Sequence, residues 1–366
     1  MTQKTKIYII TECPYVGVFR AIIELVAELS KMNFSIYFIF PSKTRDRYGE
    51  NQQDHENSLS KYGIIVQLPL RRKYRYILSD TILLRKYLHN EGGNNIIISF
   101  TEYAGKISRI LYKVNAIKTL YHAPQCIDVT RKDSKLEQFV EWIFERLLSQ
   151  NVTAYLACGA SETYLLNKKY NVPNDKIVLI PNFRSIKIKK KTKEKYLYVY
   201  VGRVVKEKGV YELLESFESL GLSNKLLIIG EGKELKRLKK KYLNTTFLGR
   251  LQPNEVLSCL SYSRFLVSNS IIEGLPYSLI EAMMIGVVPI VSNVEGHKDI
   301  IIDGYNGFLY NSQLDLTNLI FKMNLVDENY YSTISQNAVT SMNKLMGIAK
   351  QRIVSEFKKY ESSKDK

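Results

Sequence analysis

Cysteine is scarce in this chain: four in 366 residues, at Cys13, Cys126, Cys158 and Cys259. Their scattered positions match no metal-ligand spacing and no paired framework, which excludes a zinc module and a disulfide scaffold; they read as small buried hydrophobes in a reducing compartment. No apolar run approaches the ~20 residues that a membrane-spanning helix needs. The basic-then-apolar start, MTQKTKIYIITECPYVG, is too short in its apolar part for a secretion signal and passes into a strand–turn–helix pattern. A cytoplasmic protein is expected. No Asp-x-Asp pair stands at a predicted strand end. Acidic residues are outnumbered, 36 against 53 basic ones, for a net charge of +17. That surplus calls for an anionic partner: phosphorylated substrates, an anionic membrane surface or nucleic acid.

What is present is apolar and periodic. At 45% apolar residues the chain can fill a core in each of two domains. Apolar runs such as TKIYIIT, FSIYFIF, NIIISF and AIKTLYH alternate with amphipathic segments, the signature of parallel strands covered by helices on both faces. Residues 45–60 are polar and read as an exposed excursion. After a lysine-rich stretch the pattern restarts with YLYVYVG, KLLIIG, TTFLG, RFLVSNS and VPIVSN, and from Leu314 onward only helix is expected. The fold class is therefore α/β, with two doubly wound, Rossmann-like domains. The first spans 1–184, a linker 185–195, the second 196–345, and a last helix, 346–366, is expected to cross back to the first domain.

In doubly wound sheets, ligands bind beyond the carboxyl ends of the strands. Three strand ends of the second half carry groups suited to a diphosphate. VGRVVKEKG supplies Gly202, Arg203 and Lys208, a guanidinium for bidentate contact and a lysine point charge. IIGEGKE supplies a glycine turn at Gly230 and Gly232. SNSIIEGLPYSLIEAMMIGVVPIVSN places Glu273, Gly274 and Leu275 before a helix that starts near Pro276 and stops at Gly286. The helix N-terminus is a seat for phosphate, and Glu273 can accept hydrogen bonds from sugar hydroxyls. Glu281 has a second account, as the partner of Ser278 in a capping box.

Taken in order, VGRVVKEKGV, GEGKE, FLGRL, EGLPYSLIEAMMIGVVPIV and EGHKDIIIDGYNGFLY resemble the motifs of the retaining glycosyltransferases of family GT4, which have the GT-B fold; Glu273 and Glu281 resemble their E-x7-E pair. The resemblance is dense over Tyr196 to Tyr310 and sparser before. It implies two Rossmann-like domains facing each other across a cleft, a nucleotide-sugar donor and no metal or other cofactor. It implies that Arg203 and Lys208 hold the diphosphate, Glu273 the sugar hydroxyls and Glu281 the ribose. Gly274 and Leu275 would offer N–H groups, and the base would lie near Gly230 and Gly249. In the first half, Gly17 resembles a glycine loop near the donor phosphate, His122 in LYHAPQ the active-site histidine, and Ser161 and Asn182 further family positions. His297 has no assigned role.

Glu273, His122, Arg203 and Lys208 are thus the catalytic candidates, for transfer of a hexosyl group to an acceptor hydroxyl. A lipid-linked saccharide of bacterial surface polysaccharide assembly is the expected acceptor. The charge suggests peripheral contact with the inner face of the cell membrane, through Arg71 to Arg75 and the segment from Lys106 to Lys118. An epimerase or phosphorylase of the same fold would use the same donor groups. Nucleic-acid binding lacks a recognised module or interleaved exposed aromatics.

Overall fold

The apolar runs form strands because each is walled on both faces. The computed structural model describes residues 4–12, 16–42, 52–71, 73–91, 95–125, 134–191 and 195–361. The chain folds as two compact units, Met1–Pro181 with Ile348–Lys366, and Asn182–Gly347.

The first unit runs β1 (Thr5–Thr11), α1 (Val16–Leu29), β2 (Phe34–Pro41), α2 (Gln52–Ser60), β3 (Ile64–Leu68), α3 (Ile77–Glu91), β4 (Asn95–Phe100), α4 (Glu102–Lys113), β5 (Thr119–Ala123), α5 (Lys135–Leu148), β6 (Ala154–Ala157), α6 (Ala160–Tyr170) and β7 (Ile177–Leu179). Its sheet has the order β3-β2-β1-β4-β5-β6-β7, with parallel pairing throughout. Ile7 to Ile10 and Ile96 to Ile98 are buried, as central parallel strands require. The polar excursion expected at 45–60 is in part a helix. Within α2, Leu59 is buried and Glu56 accepts a bond from Gln67 Nε2 of β3 at 2.9 Å, which ties the segment to the sheet edge. Residues 45–51 lie outside the described ones, as do Cys13, Arg72 and Cys126.

The second unit runs β8 (Tyr196–Val201), α7 (Val210–Ser219), β9 (Leu226–Ile229), α8 (Leu235–Lys241), β10 (Thr246–Gly249), α9 (Pro253–Ser261), β11 (Ser263–Ser268), α10 (Tyr277–Ile285), β12 (Val288–Ser292), β13 (Phe308–Tyr310), α11 (Gln313–Asn324) and α12 (Glu328–Lys358). Its parallel sheet has the order β10-β9-β8-β11-β12-β13. Tyr198, Phe217 and Phe265 pack ring on ring at its centre. The end of α12 belongs to the first unit: Arg352 Nη1 donates to Leu179 O at 2.7 Å, and the Phe357 ring lies 4.9 Å from that of Tyr121.

The segment from Lys106 to Lys118 was expected to offer cations to a membrane; Lys113 and Lys118 are exposed, but the structure withdraws two other cations. Lys106 and Arg109 are fully buried on α4. Lys106 Nζ pairs with Glu102 at 2.8 Å and Glu141 at 2.7 Å, and Arg109 holds Glu145 through two bonds of 2.8 and 2.7 Å. Burial acts against the Arg109 charge, but Glu145 and Tyr155 outweigh it and raise its pKa. A cation so enclosed is available to no external anion, because separating a buried pair costs about 3–5 kcal/mol.

Candidate active site

The strand order of the second sheet reverses between β8 and β11, so the loops leaving these neighbouring strands run to opposite sides. Such a switch point opens a crevice at the carboxyl strand ends. From β8 the chain enters Gly202, Arg203 and a short 3-10 turn, Lys206–Lys208. From β11 it enters Asn269, Ser270 and Glu273. The two exits are stitched together: Ile271 N donates to Glu207 O at 3.0 Å, and Asn269 Nδ2 to Gly209 O at 3.1 Å.

This stitching brings Lys208 onto Glu273, where its ammonium pairs with Oε1. The same oxygen accepts from Ser270 Oγ at 2.8 Å. Burial by itself would raise the Glu273 carboxyl, but the charges of Lys208 and His297 and the bonds from Lys208 and Ser270 prevail, holding it below its ordinary value. An ionised carboxylate, backed by a lysine, at a switch point can accept hydroxyl hydrogen bonds while the lysine faces an anion.

A second loop fixes this one from below. Gly296, at φ 80°, lies so close to Gly274 that a Cβ would stand 1.3 Å from the Gly274 carbonyl oxygen. Next to it His297 is buried, its Nδ1 2.8 Å from Ser292 O, and Ser292 Oγ donates to Ser270 O at 2.7 Å. Desolvation holds His297 below the usual imidazole value against the pull of Glu273. No role for this histidine was expected from the sequence, because the fold alone brings it to the glutamate loop.

Helix α10 begins at Tyr277 behind Pro276, in the same loop as Glu273. Leu279 N and Ile280 N close on Pro276 O at 3.2 and 3.3 Å, and the positive end of the helix lies in this first turn. Leu275 is buried, and its carbonyl accepts from Asn182 Nδ2 at 3.0 Å. Glu281 is not a capping-box partner, because the N-cap is Pro276 and Ser278 stands inside the helix. It lies one turn further in, 1% exposed, with Arg184 Nε 3.3 Å from its Oε1. Arg184 is a second residue that the sequence did not single out.

The glycine turn joins the row of strand ends. Gly202 N donates to Ile229 O at 3.0 Å, Val204 N to Glu231 O at 2.8 Å, and Gly230 N to Gly249 O at 2.7 Å. Arg203 is half-exposed, and its guanidinium lies 3.6 Å from Glu207. The structure thus gathers Lys208, Glu273, Ser270 and His297 in one network, with Arg203 turned toward Glu207.

The candidates of the first half stand in the other unit. Gly17, expected in a loop, is in the first turn of α1, which starts at Val16. Ser161 follows β6 at the start of α6. His122, on β5, is 1% exposed. Its Nδ1 is 3.1 Å from both Ser99 O and Ser99 Oγ, and its ring meets Tyr155 edge-on at 5.6 Å. Burial, with Arg109 adding to it, lowers its pKa to about 3. In this arrangement the imidazole is neutral and shows no face to solvent. Glu12, at the end of β1, accepts from the N–H groups of Tyr103 and Ala104 at the start of α4, each at 3.0 Å.

Residues 15–186 match the family model described as Glycosyltransferase Family 4, and residues 182–339 that described as Glycosyl transferases group 1. An uncharacterized glycosyltransferase of Methanocaldococcus jannaschii, MJ1069, is 33% identical over 164 residues, 42% of each chain, so less than half of that relative is matched. The UDP-Gal:alpha-D-GlcNAc-diphosphoundecaprenol alpha-1,3-galactosyltransferase of Escherichia coli is 25% identical over 260 residues, 63% of this chain and 66% of that one. The structure of Anabaena HepE with UDP-glucose superposes with a TM-score of 0.76 at 14% identity, over 97% of this chain and 99% of that one, a likeness of fold alone. Two parallel-sheet units in the GT-B manner, a glutamate loop at the second switch point and adjoining family matches over most of the sequence lead to one assignment: the chain belongs to the family 4, group 1 glycosyltransferases.

Proposed function

We propose that this protein moves a hexosyl group from a nucleoside-diphosphate-sugar to an acceptor hydroxyl, with retention at the anomeric carbon and without a metal ion. The observation that carries the reading is the Lys208–Glu273 pair at the β8/β11 switch point, beside the N-terminus of α10. As the glycosidic bond lengthens, negative charge grows on the departing diphosphate. Lys208, Arg203 and the first N–H groups of α10 are the groups assigned to meet it, stabilising the transition state more than the ground state. The Glu273 carboxylate holds donor-sugar hydroxyls, and Glu281, oriented by Arg184, those of the ribose. Gly202 and Gly230 let the strand ends close on one another, a Cβ at Gly230 falling 1.8 Å from Gly202 O. Gly249, with open space at its Cβ position, leaves room for the nucleotide.

For the acceptor we propose a saccharide carried on a lipid diphosphate, in the assembly of a bacterial surface polysaccharide. The protein would then work as a cytoplasmic enzyme at the anionic inner face of the membrane. The E. coli relative, named for a diphosphoundecaprenol-linked acceptor, supports this choice, as does the charge of +17. Thermal-shift measurement with UDP, GDP, ADP and their sugars tests the donor site. A melting temperature raised by one nucleoside diphosphate in the wild type and not in Lys208→Met fits the proposal. No response to any of them defeats it. Product analysis with an acceptor separates transfer from epimerisation, which needs none.

A further inference from the structure

Helix α5 is turned inside out. Its acids Glu141 and Glu145 face inward to Lys106 and Arg109. Its apolar residues Leu136, Phe139, Val140, Ile143 and Leu147, spaced three and four apart, form one continuous stripe. Leu136 is 72% exposed, Phe139 57% and Leu147 66%. A core helix of a globular domain shows the reverse polarity, and single exposed leucines are ordinary whereas a contiguous apolar stripe marks a contact surface.

The surroundings of the stripe are aromatic and cationic. Phe139 stacks on Trp142 with ring centroids 6.2 Å apart, and Arg146 lies 5.5 Å from the centroid of the tryptophan ring. Beside Phe144, at 6.3 Å between centroids, stands Tyr74, in the turn that leads into α3. That helix carries its own exposed pair one turn apart, Leu78 and Ile82, among Arg75, Arg85 and Lys86, all exposed.

We propose that the outer faces of α5 and of the start of α3 dock on an anionic lipid surface, the apolar stripe entering the headgroup boundary and the arginines and lysines meeting lipid phosphates. Aromatic rings, aliphatic side chains and cations together suit the interfacial zone of a bilayer. A second copy of this chain suits the face less well, because it would bring like cations together on a protein already at +17. This inference rests on the membrane reading above and names the surface that performs it.

The test is co-sedimentation of the full chain with phosphatidylcholine vesicles, with and without phosphatidylglycerol. Three proteins are compared: wild type, Leu136→Gln/Phe139→Gln/Leu147→Gln, and Arg75→Glu/Arg85→Glu/Lys86→Glu. The altered side chains are solvent-exposed, and circular dichroism with the nucleoside-diphosphate thermal shift checks that the fold and the donor site persist. Wild type should bind the anionic vesicles, and each variant should bind at least roughly tenfold more weakly. Wild type that ignores anionic vesicles overturns the membrane reading itself. Wild type that binds, with both variants binding equally well, leaves that reading intact and overturns this face. A wild-type dimer that the glutamine variant converts to monomer, without vesicle binding by either, assigns the face to a second copy and overturns the proposal.

Discussion

Lys208 and Glu273, 65 positions apart in the chain, form an ion pair where the second sheet reverses its strand order. One arrives from β8 and the other from β11, so the pair exists only because the fold sets these two strand exits side by side.

Replacing Lys208 by methionine removes the cation and leaves the carboxylate among buried neighbours. Under the proposed chemistry kcat should fall by about a hundred- to a thousandfold, the range for loss of one preorganised charge-stabilising group. The pH profile should move as well. In the wild type Glu273 is held below its ordinary value, so it stays ionised well into acid. Without Lys208 the burial that opposes ionisation prevails, and the acid limb of kcat should shift toward neutral pH. An unmoved acid limb would show that the pair does not set the ionisation of the working carboxylate.

Gly296→Ala should disable the glutamate loop without touching a charged group. The new methyl would fall on the Gly274 carbonyl, and φ 80° is already unfavourable for alanine. A loss of about 2–4 kcal/mol in the second unit's stability and a collapse of donor binding are expected. Gly221→Ala is the control: it lies between α7 and the start of β9, outside the donor groups, and its φ is 64°, but a Cβ there meets nothing within 4 Å. It should cost about 1 kcal/mol and leave donor binding largely intact. Calorimetry with and without nucleoside diphosphate measures both; equal effects would mean that loop contact plays no part.

Much of this architecture is legible in the sequence, for a physical reason. Central parallel strands are buried on both faces and so read as unbroken apolar runs, as TKIYIIT and YLYVYV do. β13 escapes because three residues, Phe308–Tyr310, are too few to show a pattern. α5 is legible as a helix but not in its orientation. An apolar stripe is ordinarily assigned to the core, and only the buried Lys106 and Arg109 of α4, more than 30 positions earlier, reverse that assignment. At the site, the glutamates and glycines stand in local motifs. His297 and Arg184 act on partners brought to them by the fold, 24 residues before the one and 97 after the other, a relation that no local spacing reports.

The Arg184–Glu281 contact predicts a thermodynamic cycle. Arg184→Met removes a cation beside a nearly sealed carboxylate and should destabilise the protein by about 3 kcal/mol. Glu281→Gln in the same background removes the stranded charge and should restore part of that loss, a coupling of at least about 1 kcal/mol. Nucleotide affinity should not recover, since the glutamate is the ribose ligand in the proposed site. Chemical denaturation of the four proteins gives the coupling, and additive changes would separate the two residues.

His122 should make the first unit acid-sensitive in a calculable way. Its folded pKa is depressed to about 3, chiefly by burial. The unfolded chain therefore binds a proton before the folded one does, and stability falls as the pH drops below the unfolded histidine value of about 6.5. Between pH 7.5 and 5 this single group should remove about 2 kcal/mol, whatever its folded value below 5. His122→Asn keeps a donor for the Ser99 carbonyl and eliminates the titration, so its unfolding free energy should decline over the same interval by about 2 kcal/mol less than that of the wild type. His297, buried in the second unit and also lowered, gives a trend of the same sign there and is unaffected by the substitution. Urea melts of both proteins at the two pH values decide it: equal slopes would mean that the His122 imidazole titrates in the fold as it does in the unfolded chain, open to solvent.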